Sequence, residues 1–73
     1  MSKQEILEFL AQHEHGDAFD LAERFAVPYA TAAMALLRLN RQGLVERRID
    51  PVGSTYWYRL NTRGRSRLQY FAR

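Results

Sequence analysis

A small, mainly α-helical domain carrying one β-hairpin is predicted for this 73-residue chain by three observations. Apolar residues recur at helical spacing in three stretches between residues 3 and 42, divided by Gly16 and Pro28. Two runs rich in β-branched and aromatic residues, 44–49 and 55–60, then flank the turn-forming cluster Asp50-Pro51-Val52-Gly53-Ser54. Helical spacing returns over residues 63–72. The length suits one domain spanning residues 1–73.

The elements follow in order. Ser2 and Glu5 form a capping-box pair that opens a helix over residues 3–14, with Ile6, Leu7, Phe9 and Leu10 as its apolar positions and Gly16 as its stop. Asp17 caps a short second helix, 17–25, whose apolar stripe is Ala18, Leu21, Ala22 and Phe25. Pro28 cannot sit inside a helix but suits a first turn, so it separates that helix from a third, 28–42, across the tight turn Ala26-Val27. Gly43 ends the third helix. Asn61 or Thr62 caps the last one, whose stripe is Gly64, Leu68, Phe71 and Ala72. Two strands make no independently stable sheet, so the hairpin must pack on the helices.

Composition narrows the function. There is no cysteine, hence no disulfide and no thiolate metal site. Residues 1–10 alternate charged and apolar side chains, and no apolar run approaches a membrane span; the cytoplasm is the expected compartment, with no membrane partner. The net charge of +3 is unevenly spread: residues 1–23 hold one lysine against six carboxylates, whereas residues 24–73 hold ten arginines against two. A basic half of this kind suits either a polyanion or a solvated arginine-rich surface.

The stretches Asp20-Leu21-Ala22-Glu23-Arg24-Phe25-Ala26-Val27, Leu36-Leu37-Arg38-Leu39-Asn40-Arg41-Gln42-Gly43-Leu44-Val45-Glu46-Arg47 and Tyr58-Arg59-Leu60-Asn61-Thr62-Arg63-Gly64-Arg65 together resemble winged helix-turn-helix transcription regulators of the MarR-like and PadR-like kinds. The resemblance covers almost the whole chain. It implies a three-helix core, a wing hairpin and a C-terminal helix. It also implies double-stranded DNA as partner, with the third helix in the major groove and the wing on the backbone or minor groove. Val27-Pro28 and a wing tryptophan are shared with winged helices that bind Z-form nucleic acid. Those require asparagine and tyrosine where Ala33 and Leu37 stand here.

On the third helix Ala32, Ala35, Leu36 and Leu39 face inward, and Ala30, Ala33, Met34, Leu37, Arg38 and Arg41 face outward. Regulators of this kind carry polar residues on that outer face, because base edges are read by hydrogen bonds. Four of these six are apolar. Two readings follow. In one, Tyr29, Thr31, Arg38 and Arg41 hold phosphates while alanine and methionine touch thymine methyls. In the other, Ala33, Met34 and Leu37 meet a protein partner, alone or within a larger nucleic-acid complex.

On the wing, Arg47, Arg48, Ser54, Thr55, Trp57 and Arg59 are candidate DNA contacts, since arginine grips phosphate and rings stack on bases or sugars. Alternation turns Thr55, Trp57 and Arg59 outward if Tyr56, Tyr58 and Leu60 face the core, the side expected for both tyrosines. Leu68 and Phe71 either cover the core or form the seam of a homodimer, since related regulators pair through terminal helices. No catalytic constellation and no cofactor motif stands out. His13 and His15, two residues apart on a helix, do not share a face and read as solvated rather than metal-binding.

Overall fold

The computed structural model describes residues 1–53 and 55–71. In chain order it has α1 (Lys3–His13), β1 (Gly16–Asp17), α2 (Ala18–Phe25), α3 (Tyr29–Arg41), β2 (Val45–Ile49), β3 (Tyr56–Leu60) and α4 (Thr62–Phe71). The sheet is antiparallel in the order β1-β3-β2. It is the predicted succession of elements with one strand added.

α1 opens on the predicted capping box. Ser2 Oγ accepts from the Glu5 N–H at 3.1 Å, and the Ser2 N–H donates to Glu5 Oε1 at 2.8 Å. That backbone hydrogen bond, followed by the one from the Ser2 side chain, holds the Glu5 carboxyl below its ordinary range.

The exit from α1 differs from the expectation. Gly16 is not the helix stop: the positive φ, 67°, falls on Glu14, and the His15 N–H reaches the His13 carbonyl at 2.7 Å. This is a γ-turn, which turns the chain within three residues. The backbone is then extended in time for Gly16 and Asp17 to pair with Tyr58 and Trp57. Gly16 is needed for closeness, since a Cβ there would stand 3.0 Å from the Phe9 ring.

Asp17 is the N-cap of α2, as the sequence predicts, and the helix itself starts one residue later than expected, at Ala18. Asp17 forms a second capping box, its Oδ1 accepting from the Asp20 N–H at 2.8 Å while its N–H donates to Asp20 Oδ2 at 2.9 Å. Ala26 ends α2 in the left-handed region (φ 53°, ψ 47°), which lets the Val27 N–H reach the Ala22 carbonyl at 3.1 Å. Pro28 likewise sits one residue earlier than expected, as the N-cap of α3 with extended φ and ψ.

α3 ends in a Schellman motif. Gly43 takes φ +75°, its N–H donates to the Asn40 carbonyl at 3.0 Å, and the Leu44 N–H donates to the Leu39 carbonyl at 3.0 Å. Leu39 and Leu44 are both buried, which supplies the apolar contact of that motif.

The core gathers Ile6, Leu7 and Leu10 of α1, Leu21 of α2, Ala32, Leu36 and Leu39 of α3, and Leu44, Val45, Tyr58 and Leu60 of the wing base. Tyr56 is a correction to the sequence reading. It is 44% exposed, because the core reaches only as far along β3 as Tyr58 and Leu60. Leu68 and Phe71 of α4 are partly buried against the core, and α4 packs on α1. Ala72, expected on the same stripe, lies outside the described residues.

Asn61 caps α4, its Oδ1 accepting from the Gly64 N–H at 2.8 Å while its Nδ2 donates to the Gly43 carbonyl at 2.8 Å. Gly64 packs so closely that a Cβ would meet the Leu44 carbonyl oxygen at 2.0 Å. Glycine inside a helix normally costs about 1 kcal/mol relative to alanine, so Gly64→Ala at an unconstrained site would stabilise. Here it is expected to destabilise by about 3 kcal/mol and to lower Tm by more than about 10 °C. Thermal and denaturant unfolding measure this, and an unchanged Tm would contradict the packing. Ala26→Gly has the opposite sign: relief of the left-handed alanine is expected to leave stability unchanged or raise it by up to about 1 kcal/mol.

Candidate nucleic-acid interface

α2, the turn at Ala26 and Val27, and α3 form a helix-turn-helix in which the buried Leu21, Ala32, Leu36 and Leu39 leave the opposite side of α3 outside. At about 100° per residue, Ala30, Met34, Leu37 and Arg41 lie along the middle of that outer side. Ala33 flanks the row on one edge, and Thr31 and Arg38 on the other. Met34 is 43% exposed. Ala30, Thr31, Arg38 and Arg41 are exposed, and Ala33 and Leu37 are half-buried. No acidic residue occurs within Tyr29–Arg41.

Between α3 and the wing runs an open groove of about 410 Å³. Its walls are Tyr29, Ala33, Met34 and Leu37 on the α3 side and Arg47, Thr55, Tyr56 and Tyr58 on the wing, with Ala18 and Phe19 of α2 at one end. The register explains which wing residues reach it. Arg47 pairs with Tyr58 and Ile49 with Tyr56, so these four share one face of the sheet. The Arg47 guanidinium lies 4.3 Å from the centre of the Tyr56 ring, a cation–π contact that holds the charge at the groove's edge.

The structure thus brings together Tyr29, Ala33, Met34, Leu37, Arg47 and Thr55 among the predicted contacts. It sets Arg48, Trp57 and Arg59 on the other face, where Arg48 pairs with Trp57 and Glu46 with Arg59. There the Arg59 Nε donates to Glu46 Oε2 at 2.7 Å, and Arg48 stands 3.5 Å from Glu46 Oε1. The Arg59 hydrogen bond, then its charge, holds the Glu46 carboxyl below the usual carboxylate range. Trp57 is half-buried, its ring 5.3 Å from that of His15. Ser54 lies outside the described residues. The wing turn beside it is held by Asp50, whose Oδ1 accepts from the Val52 N–H at 2.9 Å and whose N–H donates to the Thr55 carbonyl at 3.0 Å.

Four residues of the groove, Ala18, Phe19, Tyr56 and Tyr58, are not among the contacts that the sequence suggests. Alternation places Tyr56 on the core side. Phe19 has no role in the periodicity, yet it is 61% exposed and its ring sits 4.6 Å from that of Tyr29. A signal for it exists: the inward stripe of α2, Ala18, Leu21, Ala22 and Phe25, excludes Phe19, leaving a large aromatic on a polar face. His13 packs on Phe9 at 4.4 Å, and no group of three metal-ligating side chains occurs among the described residues. Nor is any helix among them long and apolar enough to cross a membrane.

No family model matches the chain. It is 42% identical over 57 residues to the major pilus subunit operon regulatory protein of Escherichia coli, covering 77% of this chain and 74% of that one. Among solved structures it is similar to the transcriptional regulator BldR from Sulfolobus solfataricus, with a TM-score of 0.82 and 25% identity over 93% of this chain and 49% of that chain. A MarR family transcription regulator matches with a TM-score of 0.81 and 26% identity, covering 92% of this chain and 45% of that chain. The chain therefore spans about half the length of these solved regulators. It belongs to the family of the pilus operon regulatory protein and is a winged helix-turn-helix transcription regulator with the fold of the MarR-type proteins.

Proposed function

We propose that the chain binds duplex DNA at the control region of an operon, with α3 entering the major groove and Arg47 of the wing gripping the backbone. The observation that carries this reading is the groove between α3 and the wing. Arg47 lines it, Arg38 and Arg41 stand exposed on the outer side of α3 beyond it, and no residue lining it carries a carboxylate, among the described residues. The carboxylates of the N-terminal half lie on α1, β1, α2 and the turn between α1 and β1, and none lies on α3 or lines the groove. An operon encoding a surface fibre is the target class that the relative's name suggests. Such a regulator works in the cytoplasm, where the chromosome is. A homodimer seamed by α4 belongs to the same reading, with Tyr70 exposed beside the half-buried Leu68 and Phe71. Two copies of α3 would then sit about 34 Å apart, one turn of DNA. A protein partner on the apolar face of α3 is not the reading that regulator relatives favour.

Fluorescence anisotropy of a labelled random-sequence duplex, titrated with the protein over a range of salt, tests the proposal. Affinity is expected to fall linearly with log salt, by about 0.9 in slope for each phosphate neutralised. Arg41→Ala and Arg47→Ala are each expected to weaken binding and reduce the slope by about one. Arg59→Ala is expected to leave the slope unchanged, because Arg59 is engaged with Glu46 on the far face of the wing. Absence of binding at low salt would overturn the proposal.

The same ion pair has a pH signature. Because the folded pKa of Glu46 is depressed, its contribution is fully present above the ordinary value of 4.5 and lost only as the pH falls through the lower folded value. An NMR titration is expected to find Glu46 below 4.5 and to find it moved back toward 4.5 in Arg59→Ala.

A further inference from the structure

The outer side of α3 carries almost nothing that can hydrogen-bond to a base. Ala30, Met34 and Leu37 lie along its middle with Ala33 beside them. The polar groups stand around them: Tyr29 and Thr31 in the first turn, Arg38 at one edge, Arg41 at the C-terminal end of the same row, and Arg47 across the groove. An apolar stripe bordered by cations complements an occupant that is apolar at its centre and anionic at its rims. The major groove over A·T pairs has that character, since each thymine projects a C5-methyl group into it between two rows of phosphates. G·C pairs present only acceptors and one amino donor there. Every base pair leaves some polar edge without a partner against this face, which costs free energy. Only A·T pairs offset that cost with a methyl group.

We propose that α3 reads thymine methyl groups, through Met34 supported by Ala30, Ala33 and Leu37, so that the chain prefers thymine-bearing major grooves over G·C-rich ones. The inference rests on the DNA-binding reading above and adds to it the chemistry of selection. Apolar contact between alanine and the thymine methyl is an established mode of base readout. Here methionine, unbranched and polarizable, can adjust to methyl groups at more than one position along the groove.

The test uses the whole chain and two labelled duplexes of alternating A·T sequence, one with thymidine and one with deoxyuridine at every thymidine position. The exchange keeps every donor, acceptor and charge and removes only the methyl groups. The uracil duplex is expected to bind more weakly, by about fourfold for each methyl contacted, the factor for burying one methylene. Met34→Gln, nearly isosteric at an exposed position, is expected to narrow the difference between the two duplexes. A G·C duplex carrying 5-methylcytosine, which returns a methyl group to the major groove, is expected to bind more tightly than its unmethylated form. Equal binding of the thymine and uracil duplexes, with the salt dependence intact, would overturn the methyl readout and leave DNA binding standing. A thymine preference undiminished in Met34→Gln would overturn the role of Met34. Failure of both duplexes to bind at low salt would overturn this inference and the DNA-binding reading together.

Discussion

The position of the wing relative to α3 hangs on the close approach of Gly64 to the Leu44 carbonyl. α3 ends, the wing begins and α4 begins within this small volume. Asn40 Nδ2 donates to the Val45 carbonyl at 3.1 Å and Asn61 Nδ2 to the Gly43 carbonyl at 2.8 Å, so the side chains of two asparagines tie the helix end to the strands. The Asn61 N–H also reaches the Leu44 carbonyl, at 3.3 Å. A side chain at residue 64 would push α4 off Leu44, and with it the cap on which these contacts depend. These contacts fix where β2 leaves the end of α3, and so how the wing stands beside that helix. A loose wing would forfeit the geometric advantage of carrying Arg47 at all.

From that junction the two faces of the wing diverge in character. Toward α3 the sheet shows Arg47 and Tyr56, with the cation resting on the ring and no carboxylate among the groove's lining residues. Away from α3, Glu46 takes up Arg59 and Arg48 in a solvent-exposed cluster. Exposed pairs of this kind add little stability. Their consequence is electrostatic: the arginines of one face are partly neutralised while Arg47, on the other, is not. The net charge of +3 therefore understates the field in the groove.

Much of the fold is legible in the sequence because local signals agree with one another. The capping boxes, Pro28, Gly43 and the turn cluster at Asp50 each mark a boundary by a local mechanism. What is not legible depends on contacts distant in sequence. β1 is two residues long and carries no β-propensity; it exists because β3 offers it an edge. Gly16 resembles a helix stop for the same reason, since its true constraint, the Phe9 ring, becomes visible only once α1 and the sheet are packed. Tyr56 defeats the alternation rule because alternation specifies a face but not how far along the strand the core extends. On the candidate site, the residues that periodicity turns outward on α3 are exposed at Ala30, Met34, Arg38 and Arg41, but Ala33 and Leu37 are half-buried, Ala33 against the core. The division of the wing arginines needs the strand register, which alternation within one strand does not supply.

The chemistry of the α3 face has a consequence for how binding energy divides. A bidentate arginine or asparagine contact to a base is worth about 1–3 kcal/mol of discrimination, whereas a buried methyl group contributes about 0.8 kcal/mol. A face built from Ala30, Ala33, Met34 and Leu37 must therefore gain selectivity in small increments spread over several base pairs. In the proposed reading, affinity rests on phosphate contacts by Arg38, Arg41 and Arg47, which position the helix without favouring a sequence. Such a protein gains more from an exact seat than from any single contact, because a misplaced methyl group has no hydrogen bond to fall back on. The rigid junction at Leu44 and Gly64 and the weakly polar reading face are in this sense complementary: the less each base contact contributes, the more the scaffold must hold all of them in place at once.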